Sequence, residues 1–528
     1  MSPEPPTPNS IRHTPITNAV NHLGSMSALP TMLMWSVVLI AAAVFSGRWT
    51  FHIVSDTASY LQYAFSPASA AAAEIRSPVY PLVLRLLTSL APTRSSALQL
   101  VVLGQILLHA AATSALMLEL RNWKTSCQVS FAVAATVAIG CTFWDNVSTI
   151  ATDCPAMSVG VITAVCMMRG WRRGFSIRLS IATAAFVLTA IGLRPAYLFL
   201  IPWTAISLFL RPAEAVAATF GHRVRDGFVI AGIPVVTLLG WCVFRYVTVA
   251  DFSLLPFGHQ NMAAVTTQLL DNDELTAIPG KPGELASEIA RRRVEVSLGE
   301  NLRATSNKTS QISDSDKAQV VRTTRAADGL DLRTHGDPSR RADSYMTLEN
   351  RWDAMTYLVV VPAAAHVIQT HASNDAVRDA DIVAQHQLIA ELDKYIVRSY
   401  PLRYARWWLL AMRRGLWGSA ANIVMHPIFL ILIVVAALIT TVRCIHPSRA
   451  ETNRTSVTQS LAGVRAFLLI AITYGATKLG FVALTSPPIG RFSDAAFVFV
   501  PGVIAIAYFA FQQCLRFEGM NKSLSTTH

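Results

Sequence analysis

Ten apolar runs, most of them joined by short arginine-rich connections, constrain this chain more than any other feature of it. They cover approximately 31–47, 97–119, 127–143, 154–168, 179–193, 196–210, 228–250, 421–442, 465–485 and 495–512. A helix needs roughly 20 residues to cross the hydrocarbon of a bilayer, and about 17 suffice. The runs beginning at 154, 179 and 196 fall short, so their ends are expected to borrow neighbouring residues. Hydrophobic residues make up 52% of the 528 and charged residues 14%, more apolar than a soluble surface of that size carries. The expected fold class is an all-α polytopic membrane protein with about ten transmembrane helices.

The segment "VYPLVLRLLTSLAP" (79–92) decides the sidedness of everything after it, because counting it as a span would invert the order. It is about 14 residues long and carries Arg85, which suits an interfacial helix rather than a span. With the N-terminus in the cytoplasm, "RNWKTS", "RGWRRGFSIR", "RPAEAVAATFGHRVRDG" and "RCIHPSRAETNRTSVTQSLAGVR" then fall inside, as the bias of basic loops toward the cytoplasm requires. The net charge of +12 agrees with this: residues 251–420 hold 20 Lys and Arg against 21 Asp and Glu, and the rest of the chain holds 24 against 11. The basic excess therefore belongs to membrane sidedness and not to a nucleic-acid groove.

The same topology divides the chain into a disordered cytoplasmic tail (1–30), a membrane domain whose outer loops carry the chemistry (31–250), a large outer-face region (251–420), C-terminal membrane helices (421–512) and a second cytoplasmic tail (513–528). Within the outer-face region, "DNDELTAIPGKPGELASEIARRRVEV" predicts a helix, and three more follow in "TLENRWDAMTYLVVVPAAAHVIQTH", "DIVAQHQLIAELDKYIVRSY" and "PLRYARWWLLAMRRGLW". The last has the arginine and tryptophan content of an interfacial helix and suits either lipid phosphates or plain anchoring. The seven cysteines lie in or beside apolar runs, and no disulfide framework, metal motif or cofactor is indicated.

Seven charged residues land on the outer face: Asp56, Glu74, Arg76, Asp145, Asp153, Arg194 and Arg491. Asp56 follows the first span closely, and Asp153 opens the fourth in "ATDCPAMSVG". Each alone reads as a helix N-cap, with Pro155 suited to a first turn. Together with outer-face arginines they read differently. A carboxylate at the membrane surface can act as general base toward an acceptor hydroxyl. Arginines facing it present a planar donor fork to a departing phosphate, where fixed positive charge in a water-poor site helps most. Arg194 in "GLRPAYLFL" also reads as a snorkelling residue, and Arg76 as a local partner of Glu74.

An Asp in the first outer loop followed by "YLQYA", then a basic residue before "SPVYPLVLRLL", resembles the first loop of the GT-C glycosyltransferases, which include protein O-mannosyltransferases and lipid A aminoarabinose transferases. "LRPAYLFLIPW", "YIVRSYPLRYARWWL" and "PIGRFSDAAFVFVPGV" are similar to later segments of that family. Phe492 stands where tyrosine is commoner, and residues 251–345 match no part of it. The resemblance implies transfer of a sugar from a polyprenyl-phosphate carrier to an envelope acceptor (lipid, glycan or protein) by an inverting displacement. It implies a multi-pass protein of a bacterial inner membrane, with membrane lipids as neighbours and no nucleic acid. Carried over residue by residue, Asp56 matches the first acidic position, Asp153 or else Asp145 the second, and Arg76 the basic residue before proline. The expected site has Asp56 and Asp153 as catalytic residues, with Arg76, Arg194, Arg491, Glu74 and Asp145 binding substrate.

Two other classes fit a polytopic chain with charged sites: a transporter or lipid flippase, and a polysaccharide polymerase or ligase. A coupled transporter usually buries acids in mid-span, and none of the ten runs has one in its middle third. Arg245 and Lys478 are the intramembrane cations expected to be unpaired, and with His109 as a third polar site they favour transport.

Overall fold

The computed structural model describes residues 27–138, 140, 146–216, 219–307, 352, 355–371, 380–425, 454–488 and 494–510. Among them the structure is all-helical, with no strand and one isolated parallel bridge between His52 and Thr149. Five helices are long and apolar enough to cross a membrane: α1 (Ala28–Phe45), α5 (Arg94–Asn122), α7 (Asp153–Arg173), α10 (Phe220–Val249) and, within the longer α17, Ala462–Thr485. Shorter apolar helices are α4 (Val79–Leu90), α6 (Cys127–Ala138), α8 (Ile177–Leu193) and the stretches Pro195–Phe209, which contains α9 (Leu200–Phe209), and Ala495–Ala510. The run at 154 does extend, to 21 residues. That at 179 gains two residues and reaches 17, whereas Pro195–Phe209 remains short. The expected run at 421–442 lies outside the described residues beyond Met425, and both expected tails lie wholly or largely outside them.

Local chemistry explains where these helices begin and end. Thr93 starts α5 by accepting from the Ser96 N–H at 3.1 Å, while Ser96 Oγ accepts from the Thr93 N–H, also at 3.1 Å. Gly174, at φ +78°, ends α7 in a conformation that costs glycine nothing. In α10, Pro234 has no N–H to offer the preceding turn, and the chain widens into a π turn at Phe228–Gly232 just before it. The 12 residues of α4 extend only about 18 Å, too short for the hydrocarbon. One face buries Tyr80 and Leu84, and the other leaves Leu82, Val83, Leu86 and Leu90 exposed.

The bundle is built around α7, of whose most apolar 18 residues 83% are buried, against 11% for α10. In lipid the attraction between helices comes from close packing rather than from escape out of water. Accordingly α7 presents the small residues Ala156, Ser158, Gly160, Ala164 and Gly170 among its buried positions. It packs on α5 and α8 and touches α17 (Arg454–Thr485). His109 of α5 sits fully buried between Ser158 Oγ at 3.0 Å and the Val137 carbonyl at 3.2 Å. It is a satisfied core histidine and not an unpaired polar site.

Contacts fix which helix ends lie together. At one end, Glu119 of α5 receives both arms of Arg172 of α7 at 2.7 and 3.0 Å, and Arg465 of α17 reaches Glu214 at 2.5 Å. At the other end, Gln99 near the start of α5 donates to the Trp49 carbonyl, and Gln105 donates to the carbonyls of Val147 at 3.0 Å and Thr149 at 3.2 Å.

A second hydrophobic core gathers residues between Ala263 and Ala411, with Ala483 of α17. It is built from α11 (Gly258–Thr266), α12 (Asn272–Thr276), α13 (Gly280–Asn307), a π turn at Met355–Val360, α14 (Val361–His371), α15 (Ala380–Ser399) and α16 (Pro401–Met425). The acidic-basic stretch expected to hold one helix holds two, because Asp271 and Glu274 cap α12 reciprocally at 2.8 and 3.1 Å. In α16, Trp407 is buried, Trp408 donates to the Gly480 carbonyl at 2.9 Å, and Arg403 pairs with Glu274 at 2.8 Å. This helix is thus docked on α17, and one of its arginines is committed to α12.

Candidate functional site

The loop after α1 and the segment before α7 are stitched into one unit. His52 N–H donates to the Ser148 carbonyl at 2.7 Å, and Ile150 N–H returns to the His52 carbonyl at 3.0 Å. Helix α2 (Ser55–Leu61) starts directly after this bridge, with Val54 as its N-cap. Thr57 Oγ accepts from the Val54 N–H at 3.0 Å and donates to the Ile150 carbonyl at 2.9 Å. Asp56 is therefore not the cap, and its carboxylate turns away from the helix start. The same holds for α7, where the N-cap is Thr152 and Asp153 is the first helical residue.

Both carboxylates meet arginines. Asp56 Oδ1 accepts from Arg76 at 2.8 Å, and Arg76 Nε also donates to Ser59 Oγ at 2.8 Å. Asp153 pairs with Arg194. Arg194 is delivered by the end of α8: Pro195 disfavours helical geometry in the residue before it, and Arg194 takes φ −145°, ψ 114°. An acid at the N-terminus of α7 and a cation at the C-terminus of α8 each also complement a helix dipole.

Tyr60 joins the two pairs. Its ring lies 4.8 Å from the Arg76 guanidinium, and its hydroxyl is 3.3 Å from Thr152 Oγ, next to Asp153. Tyr80 of α4 packs edge-on against Tyr60 at 5.1 Å. Ser77 donates to the Gly192 carbonyl, which ties the loop after Arg76 to the end of α8. The Asp56–Arg76 pair is the more open, with side chains 21% and 18% exposed, whereas Asp153 is at 6%.

Glu74 does not pair locally with Arg76 as the sequence allows. It accepts from the Ala64 N–H at 2.8 Å and so braces the turn after α2. Burial, then the charge of Glu74, push the Tyr63 phenol up to about 12, against the pull of Arg245. Tyr63 accordingly remains a donor, to the Ala71 carbonyl at 3.2 Å. Asp145 and Arg491 lie outside the described residues.

Arg245 corrects an expectation. It is fully buried near the end of α10, yet it bonds the Ala72 carbonyl, the Ser253 carbonyl and hydroxyl, and Asp251 at 2.8 Å. It is a tether between α10, α3 (Ala68–Ala73) and the chain entering the second core. Asp251 opens a further polar group. His386 Nδ1 lies 3.4 Å from it, the His386 ring is 5.2 Å from that of His259, and His259 Nδ1 donates to Asp393 Oδ2 at 3.0 Å. Burial raises the Asp393 carboxyl despite its bonds from His259 and Thr266. Burial pushes Asp251 the same way, but His386, Ser253 and Arg245 outweigh it and hold that carboxyl below its ordinary value.

Sequence reasoning passed over Tyr60 and Thr152, the residues that connect the pairs. Tyr60 stood within the quoted "YLQYA", but nothing in one sequence marks a tyrosine as the link between segments 92 residues apart. Among the described residues no group of histidine, cysteine and carboxylate side chains is arranged to hold a metal ion. Neither a protein-family model, a curated protein nor a solved structure matches the chain.

Proposed function

We propose that this chain is a GT-C-like membrane glycosyltransferase of about ten spans, with both termini cytoplasmic in a bacterial inner membrane. It moves a sugar from a polyprenyl-phosphate carrier to an envelope acceptor at the outer face. The observation that carries this reading is the convergence at one end of the bundle of two carboxylate–arginine pairs, Asp56–Arg76 and Asp153–Arg194. The two are bridged by Tyr60 and Thr152.

In this reading the acceptor hydroxyl reaches the more open pair, and Asp56 takes its proton as the new glycosidic bond forms. The anomeric carbon is attacked from the face opposite the carrier, so a single displacement inverts it. The phosphate leaves with the electron pair of the broken bond, and Arg76 and Arg194 stabilise the charge that develops on it. Asp153 orients the acceptor or Arg194. Both pairs are poised to exchange an internal partner for a substrate group of like charge, which keeps the arginines compensated when the site is empty.

The transport reading leans on intramembrane charge, and Arg245 and His109 are held by internal partners. Mass spectrometry of envelope lipids and glycans from cells with and without the protein separates the two. Loss of one sugar decoration is the expected result. An unchanged decoration, with carrier-linked sugar accumulating on one side of the membrane, would replace the transferase by a flippase.

A further inference from the structure

Two histidines of the second core stand against carboxylates, and one of them is open. His259, in the first turn of α11, donates from Nδ1 to Asp393 Oδ2 at 3.0 Å. Asp393 is fully buried on α15, and its other oxygen accepts from Thr266 Oγ at 2.5 Å. A carboxylate has only lone pairs to offer, so the imidazole keeps its proton on Nδ1 and carries a lone pair on Nε2. That nitrogen has no partner among the described residues, and 30% of the side chain is exposed. His386 is buried and packs against the ring at 5.2 Å. His259 is thus a hydrogen-bond acceptor fixed in direction.

Its place in the fold is beside the carboxylate–arginine pairs. The ring of Phe257 lies 5.8 Å from the Arg76 guanidinium, and at most about 7 Å of chain separates Phe257 from His259. Helix α15 also touches α3, whose Ala72 carbonyl holds Arg245. The dyad therefore borders Asp56–Arg76 on the side of the second core. An apolar ring with one oriented polar group beside it suits a ligand that shows C–H and O–H groups on one face, as a sugar ring does.

We propose that His259, oriented by Asp393, is a specificity residue that accepts a hydrogen bond from a sugar hydroxyl. Making the hydroxyl a sugar's rests on the transferase reading; it belongs either to the sugar being moved or to a glycan acceptor.

The test uses the full chain in membrane vesicles, with loss of carrier-linked sugar and gain of decorated acceptor measured together. His259→Phe keeps a ring and removes the lone pair, and is expected to slow decoration about ten-fold. His259→Gln keeps an acceptor oxygen and should recover part of that. In Asp393→Asn the amide oxygen stays toward the Thr266 donor and the NH2 faces His259, which drives the imidazole proton to Nε2. A hydroxyl can turn and accept from that N–H, so decoration is expected to fall only about two-fold. Spectra of the 15N-histidine-labelled chain, with His259 assigned by its loss in His259→Phe, should show Nδ1–H in wild type and Nε2–H in Asp393→Asn.

A proton on Nε2 in wild type overturns the proposal. So does a dyad that only staples α11 to α15, which would lower the melting point in all three variants and leave the rate per folded protein unchanged. A loss in Asp393→Asn as deep as in His259→Phe, at an unchanged melting point, overturns the hydroxyl in favour of an N–H donor. Slowed decoration with carrier-linked sugar still consumed supports the acceptor as the source, and both slowed in step support the moving sugar. Vesicles in which the wild-type protein decorates nothing refute the transferase reading and this proposal with it, whereas active wild type beside an equally active His259→Phe refutes the proposal alone.

Discussion

At the scale of single residues, the role of Asp56 is separable from its structural surroundings. Val54 and Thr57 cap α2, so Asp56→Asn leaves the cap intact, and the new amide oxygen still accepts from Arg76. Only the capacity to take a proton is lost. Because general-base catalysis typically contributes 100-fold to 10,000-fold, the variant is expected to bind donor normally and transfer sugar at least about 100 times more slowly. Full activity in purified Asp56→Asn would leave Asp153 as the base. The arginines give a second prediction. A charge-assisted hydrogen bond is worth about 1.5 to 3 kcal/mol, so Arg76→Ala or Arg194→Ala should cost roughly ten-fold to a hundred-fold in transfer rate. Arg76→Lys is expected to rescue little, because a lysine lacks the fork that reaches Asp56 and Ser59 together. Kinetics equal to wild type in both alanine variants would reduce these arginines to anchors.

At the scale of elements, the site depends on how its segments are held. Gln105 of α5 supports the segment before α7 through two carbonyls, Val147 and Thr149. Gln105→Leu strands both, and a loss of about 1 to 3 kcal/mol is expected, read as faster amide exchange in residues 147–152. Protection equal to wild type would show that the His52 bridge suffices. The α10 tether responds to pH in a definite direction. The folded Asp251 carboxyl is held below its ordinary value, so its contribution to stability is complete above the unfolded value of about 3.9 and is lost as pH falls through the lower folded one. Asp251→Asn should therefore melt lower at neutral pH, by about 3 kcal/mol for the stranded Arg245, and lose less than wild type on acidification. Asp393 acts with the opposite sign. Its raised carboxyl holds a proton longer when folded, so its contribution declines as pH climbs above about 4.

At the scale of the whole molecule, the connections sort to two ends. One carries the carboxylate–arginine pairs, and the other carries Glu119–Arg172 and Glu214–Arg465. If basic connections face the cytoplasm, a membrane-impermeant thiol reagent added to intact cells is expected to label Ser95→Cys, at the exposed start of α5. Arg173→Cys, at the exposed end of α7, should react only after lysis. The inverse pattern would place Asp56 in the cytoplasm and end the envelope reading.

The sequence alone was enough for the long apolar helices, because span length and hydrophobicity are local properties of a run of residues. It also sufficed for the short helix at 79–90, but not for the caps: Asp56 and Asp153 read as N-caps, whereas Val54 and Thr152 hold those positions. It pointed to Asp56, Arg76, Asp153 and Arg194 by charge and place, but not to their pairing. Arg76 lies 20 residues from Asp56 and Arg194 41 from Asp153, separations at which sequence spacing says nothing of contact. Only the packed bundle turned Glu74 to the Ala64 backbone, filled the hydrogen bonds of Arg245 and His109, and left Lys478 among tyrosines. A lone charge in an apolar run looks the same in sequence whether a distant carbonyl satisfies it or nothing does. What distinguishes those cases is the neighbour across the helix interface, and tertiary packing alone chooses it.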